Sequence, residues 1–232
     1  LSCIDRQPPS ELSAGLSITL ILTSWAMSVA VLIEQIRAYD HGAHVYEWFY
    51  KFIDLPGFAP EIGILIDPLG AVMLVVVTTV GAWVQIYSVG YMHGDPRFSR
   101  FFSYLSLFLF SMLGLVVATN FFMIFIFWEL VGLTSYLLIG FWYYKNYDDP
   151  KKITPRDAAV KAFITTRIGD VIMLLGIALL YTKTGTLSFA AILRDEHVLH
   201  ELSTTMIGGL GISVSGLVGL LLFAGTVGKS AQ

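Results

Sequence analysis

The sequence is 232 residues long, 56% hydrophobic and only 13% charged, with a mean hydropathy of +0.72. Soluble domains carry about 25% charged residues, so this composition excludes an ordinary soluble domain and points to a polytopic membrane protein. A net charge of −3 offers no basic surface for nucleic acid, and the lone cysteine, Cys3, excludes an internal disulfide, a cysteine-ligated Fe–S cluster or a Cys-based zinc finger within the chain.

A hydrocarbon core about 30 Å thick takes roughly 20 helical residues to cross. Six apolar segments approach that length, at about 12–33, 68–88, 101–118, 120–143, 158–182 and 206–228, which predicts one transmembrane domain over residues 1–232. The first begins too late and runs too long for a signal peptide. Between the first two spans, Val45-Tyr-Glu-Trp-Phe-Tyr-Lys-Phe-Ile53 mixes aromatics with charges, Pro56-Gly57 marks a turn, and Glu61 to Leu65 is again strand-like. This predicts a short external β-hairpin at about 45–66, with Trp48 at headgroup level. Loop 183–204 has the pattern of an amphipathic helix around Leu187–Leu199. The start at Leu1 without methionine, and the end at Gln232 directly after an apolar run, read as a piece of a longer protein.

Lysine and arginine set the expected orientation. Arg6, Arg97, Arg100, Lys145, Lys151, Lys152 and Arg156 occupy one set of alternate loops, against Arg37, Lys51, Lys183 and Arg194 in the other. The richer set, loops 89–100 and 144–157, is expected to face the cytoplasm, and 34–67 and 183–204 to face outward.

The most informative residues are the ionisable ones within apolar spans. A charge at a helix centre costs about 2.5–3.5 kcal/mol on insertion scales, so such groups persist by pairing or because they carry ions. Glu129 lies in Phe121-Phe-Met-Ile-Phe-Ile-Phe-Trp-Glu-Leu-Val-Gly132, Arg167 and Asp170 share one helix face in Thr165-Thr-Arg-Ile-Gly-Asp170, and Lys229 follows Leu220-Leu-Leu-Phe-Ala-Gly-Thr-Val-Gly228. At 1.5 Å per residue, Glu129 and Asp170 reach similar depth, about 12 Å from one surface and about 18 Å from the other. Lys229 matches them only if much of 204–215 lies outside the core. Gly225 and Gly228 weaken the helix around it, which predicts a break close to Lys229 with the amine directed into the bundle, toward the Glu129 helix. Arg167 and Asp170 also admit a plain packing ion pair, and Lys161, near a span end, suits a side chain that reaches for the interface.

Three lookalikes carry nothing. Gly225-Thr-Val-Gly-Lys-Ser230 lacks the first glycine of a phosphate loop, since position 223 is Phe223, and it follows an apolar span where that motif needs a strand. Gly208-Gly-Leu-Gly211 lacks dinucleotide-loop spacing and suits close helix packing. The pairs His41/His44 and His197/His200 have no third metal ligand in view.

Taken together, Asp67-Pro-Leu-Gly70, Arg100-Phe-Phe-Ser-Tyr-Leu105, Phe127-Trp-Glu-Leu-Val-Gly-Leu-Thr-Ser-Tyr-Leu-Leu-Ile-Gly-Phe-Trp142, Lys161-Ala-Phe-Ile-Thr-Thr-Arg-Ile-Gly-Asp170 and Val227-Gly-Lys-Ser-Ala-Gln232 resemble one family. It is the antiporter-like subunit L of NADH:quinone oxidoreductase, respiratory complex I (subunit 5 in mitochondrial terms). The resemblance runs from about Asp67 to Gln232, with residues 1–66 similar mainly in layout. It implies an all-α polytopic membrane protein, an antiporter-like helix bundle with broken helices and inverted repeats, of which this chain would hold the second to the seventh span. It implies that Glu129, Lys229, Asp170 and Arg167 carry proton translocation, with Thr134, Ser135 and Tyr136 as candidate relays. It also implies that no cofactor or metal sits in this chain. NADH, FMN, Fe–S clusters and quinone would belong to partner subunits, the other membrane subunits of complex I in a bacterial inner membrane or its equivalent. The proton affinity of Glu129 would then depend on whether the Lys229 amine is near it. The competing expectation is the large subunit of a multisubunit Na+/H+ antiporter or another stand-alone ion transporter, since that branch shares the Trp-Glu core, although Arg167-Ile-Gly-Asp170 favours the complex I and chloroplast-type branch. A purely structural membrane spacer would not need Glu129, Asp170 and Lys229 in apolar spans.

Overall fold

The structure, a computed structural model, describes residues 10–38, 45–52, 61–147, 152–207 and 211–230. Cys3, Arg6, His41, His44, the Pro56-Gly57 turn, Lys151, Gly208 and Gly209 lie outside these residues. The elements in chain order are α1 (Ser10–Ala38), β1 (Tyr46–Lys51), β2 (Glu61–Ile66), α2 (Pro68–Tyr91), α3 (Phe98–Val116), α4 (Phe121–Ile139), α5 (Pro155–Thr184), α6 (Phe189–Leu193), α7 (Glu196–Thr204) and α8 (Val214–Ser230). Helices α1 to α5 are long and apolar enough to cross a membrane. The described residues fall into two compact units, one of 1–46 and 65–117, the other of 47–64 and 118–232.

In the first unit α1 packs against both α2 and α3, and α2 against α3. The Asp67-Pro-Leu-Gly motif is a helix start: the Asp67 side chain accepts from Gly70 N–H at 2.6 Å, and Pro68 fills the first turn, where no N–H is needed. Small and polar residues let the helices approach, as expected where lipid removes the hydrophobic drive for helix association. Leu109 of α3 lies where a Cβ on Gly81 of α2 would be, 2.5 Å away. Ser13 of α1 donates to Ser99 of α3 at 3.1 Å, and Ser17 bonds Ser106 one layer on. Leu12, Leu16, Leu20 and Met27 of α1 and Leu69, Val80 and Trp83 of α2 are exposed apolar side chains suited to lipid.

The expected hairpin is present as strands β1 and β2, paired in a two-stranded sheet. In the second unit, Gly63 of β2 sits so close to the Trp48 carbonyl and Phe49 that any Cβ would be 2.3 Å from that oxygen. Asn120 ties this sheet to α4. Its amide donates to the Glu61 carbonyl at 2.7 Å, and its side-chain oxygen caps α4 by accepting from Met123 N–H at 2.8 Å. Helix α5 starts on Thr154, whose hydroxyl accepts from Asp157 N–H at 3.2 Å and donates to the Asp157 carboxylate at 2.7 Å, and stops at Gly185, where φ is +69°.

Three expectations are corrected. The single amphipathic helix around Leu187–Leu199 is two short helices, because the Asp195 carboxylate accepts from His197 and Val198 N–H and starts α7 anew after Arg194. Their apolar faces join Leu180, Val214 and Val218 in one cluster through Ile192 and Leu202. The last span does not begin at 206. Met206 and Ser213 pair across a reversal in which Gly211 adopts φ +62°, and helix begins only at Val214. Nor does α8 break before Lys229, since it is helical from Val214 through Ser230, the last described residue. The glycines expected to loosen it serve close packing instead. Gly225 and Gly228 face Gly169 of α5, whose Cβ position lies 3.5 and 3.3 Å from their Cα atoms.

Candidate functional site

The candidate site is built from α4, α5 and α8 in the second unit. The glycine contact between α5 and α8 sets the approach. A Cβ on Gly169 would be 2.9 Å from the Ala224 carbonyl, and one on Gly176 would be 2.8 Å from the Leu221 side chain. That proximity carries Lys229, one residue past Gly228, up against α4. From Val214 it lies about 22 Å along α8, while Glu129 lies about 12 Å along α4 from Phe121.

Glu129 forms a salt bridge with Arg167, the two side chains 24% and 30% exposed. The Arg167 guanidinium also lies 3.9 Å from Asp170 Oδ2, and 4.4 Å over the Phe163 ring. Asp170 is 1% exposed. Its Oδ1 accepts from the Trp128 indole N–H at 2.7 Å, and its Oδ2 has no hydrogen-bond partner. The Lys229 amine donates to the main-chain carbonyl of Trp128 and sits 4.6 Å from the centroid of the Trp128 ring. It also lies 3.4 Å from the Cβ position of Gly132, and Asp170 Oδ2 lies 4.0 Å from the same point. A larger residue at 132 would occupy the space these two groups face.

All four predicted charges therefore meet in one network, but not as the simple pair the sequence suggested. The close partner of Glu129 is Arg167, and the Lys229 amine reaches the Glu129 helix through Trp128. Two positive and two negative groups give a neutral cluster, which lowers the cost of holding charge in an apolar span. Two of the three candidate relay hydroxyls, those of Thr134 and Ser135, are turned back into their own helix. Thr134, fully buried, donates to the Leu130 and Val131 carbonyls at 2.9 and 3.1 Å, and Ser135 donates to Val131 at 2.8 Å. Tyr136 packs against Phe163 at 5.3 Å between ring centroids. Lys161 is exposed in the early part of α5. Among the described residues no three His, Cys, Asp or Glu side chains are grouped to hold a metal ion.

Sequence reasoning missed Trp128 as a member of the site. The available signal was the indole N–H itself, a donor inside an apolar helix that needs an acceptor.

The fold is that of an antiporter-like transmembrane helix bundle. Over 96% of this chain the fold matches a chain of the Mrp complex from Dietzia sp., with a TM-score of 0.62 at 22% identity, covering 24% of that chain. It also matches a chain of the membrane-bound sulfane sulfur reductase, an archaeal respiratory membrane complex, with a TM-score of 0.57 at 21% identity, covering 33% of that chain.

Within that class the sequence is specific. Residues 52–102 match the family described as NADH-ubiquinone oxidoreductase (complex I), chain 5 N-terminus, and residues 118–232 match NADH:quinone oxidoreductase/Mrp antiporter, TM. NAD(P)H-quinone oxidoreductase chain 5 of Synechocystis sp. is 41% identical over 96% of this chain. The chloroplastic subunit 5 of Mesostigma viride is 43% identical over 94%. The chain belongs to the family of complex I chain 5, the antiporter-like subunit of NAD(P)H–quinone oxidoreductases. It spans 30% and 31% of the length of those two relatives. Similarity thus extends beyond the stretch from Asp67 onward, into the hairpin and the first span. With five helices among the described residues long and apolar enough to cross a membrane, this is a multi-pass protein of an energy-transducing membrane.

Proposed function

We propose that this chain acts in a proton-translocating, antiporter-like membrane subunit of an NAD(P)H–quinone oxidoreductase, a non-redox part of a translocating enzyme. The observation that carries the reading is the network of Glu129, Arg167 and Lys229, half-buried, around the buried Asp170 across α4, α5 and α8. It lies within the segment that matches the family. Relatives at 41–43% identity are named as chain or subunit 5 of such oxidoreductases, which favours this reading over a Na+/H+ antiporter; the family model over 118–232 spans both branches, and the Mrp chain matched by fold is 22% identical.

The chemistry is proton transfer among groups whose proton affinity follows the charge beside them. Arg167 stands between two carboxylates, in contact with Glu129 and 3.9 Å from Asp170. A proton arriving on Glu129 cancels its hold on Arg167 and leaves Asp170 as the remaining anion for Arg167 and Lys229. Release of that proton from Glu129 to an acceptor beyond the cluster, with Arg167 returning to the carboxylate, restores the first arrangement. A neutral cluster suits a mobile proton and gives no surplus of carboxylates for an added metal cation. Redox chemistry, with NAD(P)H, flavin, Fe–S clusters and quinone, belongs to partner subunits, and the other membrane subunits are the partners of this chain.

The test is Glu129→Gln in the full-length subunit within its complex. It keeps the shape and removes the charge. Quinone reduction in detergent is expected to persist, while proton pumping into vesicles falls. Unchanged pumping would remove Glu129 from the pathway.

A further inference from the structure

We infer that Trp128 is a positioning residue of this site, the group that holds Asp170 and Lys229 in register with the Glu129–Arg167 pair. The inference rests on the proposed function and deepens it. Trp128 meets charged neighbours through three separate features. Its indole N–H donates to Asp170 Oδ1 at 2.7 Å, its main-chain carbonyl accepts from the Lys229 amine, and its ring lies 4.6 Å from that amine. The next residue in the chain is Glu129, which takes Arg167. Two consecutive residues of α4 thus contact every charge of the network.

The indole N–H also determines how Asp170 presents itself. A carboxylate that is 1% exposed has few neutral donors, and here one of its oxygens is held by Trp128. The other, Oδ2, has no hydrogen-bond partner. It is the oxygen that lies 3.9 Å from Arg167 and beside the Gly132 space where the Lys229 amine sits. With Oδ1 fixed, Oδ2 is the atom left to respond when either cation moves. Without the indole donor the carboxylate is free to turn both oxygens toward Arg167, drawing it from Glu129 and blurring the distinction between the two acids. The carbonyl contact adds a second constraint. It anchors the amine to the backbone of α4, so Lys229 stays beside Asp170 without being drawn into a direct pair with Glu129.

The experiment uses the full-length subunit in its complex, reading quinone reduction in detergent and quinone-driven proton pumping into vesicles. The variants are Trp128→Phe, Trp128→His, Asp170→Asn, Lys229→Ala and the double Trp128→Phe/Asp170→Asn. Trp128→Phe keeps an aromatic ring and the main-chain carbonyl and removes only the donor. It is expected to lose pumping, though less than Asp170→Asn, which also removes the charge facing Arg167 and Lys229, and the double variant to be no worse than Asp170→Asn alone, because the indole then has no carboxylate left to orient. Trp128→His, a poorer fit but still an N–H donor, is expected to pump better than Trp128→Phe; a packing role gives the reverse order. A Phe variant that fails to assemble while the His variant assembles and pumps supports the donor role equally. Wild-type pumping by Trp128→Phe, or strictly additive losses in the double variant, would overturn the inference while Lys229→Ala still loses pumping. Wild-type pumping by Lys229→Ala as well would instead sink the reading of the site.

Discussion

Gly169 offers the sharpest test of how the site is held together. It lies in α5 two residues after Arg167 and one before Asp170, and it faces the backbone of α8. A methyl group there would be 2.9 Å from the Ala224 carbonyl oxygen, 3.3 Å from Gly228 Cα and 3.5 Å from Gly225 Cα. None of these is the end of a flexible side chain, so the helices themselves must part. Restoring contacts near 3.5 Å means a separation of about 0.6 Å. Forced overpacking of this kind costs about 1–3 kcal/mol, or roughly 5- to 150-fold in the folding equilibrium. Lipid supplies no compensating hydrophobic force between helices. Lys229 follows Gly228 directly, so the same displacement draws the amine away from the Trp128 carbonyl. Gly169→Ala is therefore expected to lower both the thermal unfolding temperature and proton pumping. Gly219, also on α8, has nothing within 4 Å of its Cβ position. Gly219→Ala is the matched control, and replacing a helical glycine there is expected to add about 0.5–1 kcal/mol of stability. Thermal unfolding of the full-length subunit in detergent, paired with vesicle pumping, reads both. Wild-type stability and pumping in Gly169→Ala, or equal destabilisation by Gly219→Ala, would refute the packing argument.

Two further outcomes are expected. Lys229→Arg should impair pumping nearly as much as Lys229→Ala, because a buried lysine can give up its proton and arginine cannot, and because the planar guanidinium must fit where the amine already lies 3.4 Å from the Gly132 Cβ position; full activity in the arginine variant would exclude a proton-exchanging role for this side chain. Cysteines introduced at Asn146 and at Glu201, in segments joined to opposite ends of α5, should label from opposite membrane faces, with Asn146 cytoplasmic, and labelling of both from one side would overturn the orientation read from the lysine and arginine bias.

That the first five apolar segments are long helices was legible because length and apolarity are written directly into composition, and caps, being local chemistry, mark where several of those helices begin. Asp67 before Pro68, Asn120 before Phe121 and Thr154 before Pro155 each stand where a helix begins. The cap at Asp195 is equally local, and was hidden only by an amphipathic pattern that continues across it. The course of α8 was less legible for a physical reason. Glycine weakens an isolated helix and also lets two helices touch, and the sequence of α8 alone does not say which applies. The answer depends on Gly169, some sixty residues earlier, placing its backbone against Gly225 and Gly228. The pairing of the four charges was hidden in the same way. Depth arithmetic brings Glu129 and Asp170 to a common level, but which acid faces Arg167, and which donor holds Asp170, are properties of helix rotation.

That rotation bears on the proposed mechanism. Had Glu129 and Lys229 formed a closed pair, each would have been the other's main electrostatic partner, and moving a proton would have required breaking that pair first. In this arrangement each acid has a distinct partner. Glu129 is bound to a cation, while Asp170 is bound to a neutral donor and keeps one oxygen open within reach of Arg167. Lys229 is bound to a carbonyl, so it can approach or leave without a competing carboxylate contact. The groups that would exchange protons are thus neighbours without being mutually locked, and the cluster can change its pairing at constant backbone geometry. Trp128 and Gly132 make that possible, one by supplying the neutral contacts and the other by leaving room for the amine beside Asp170.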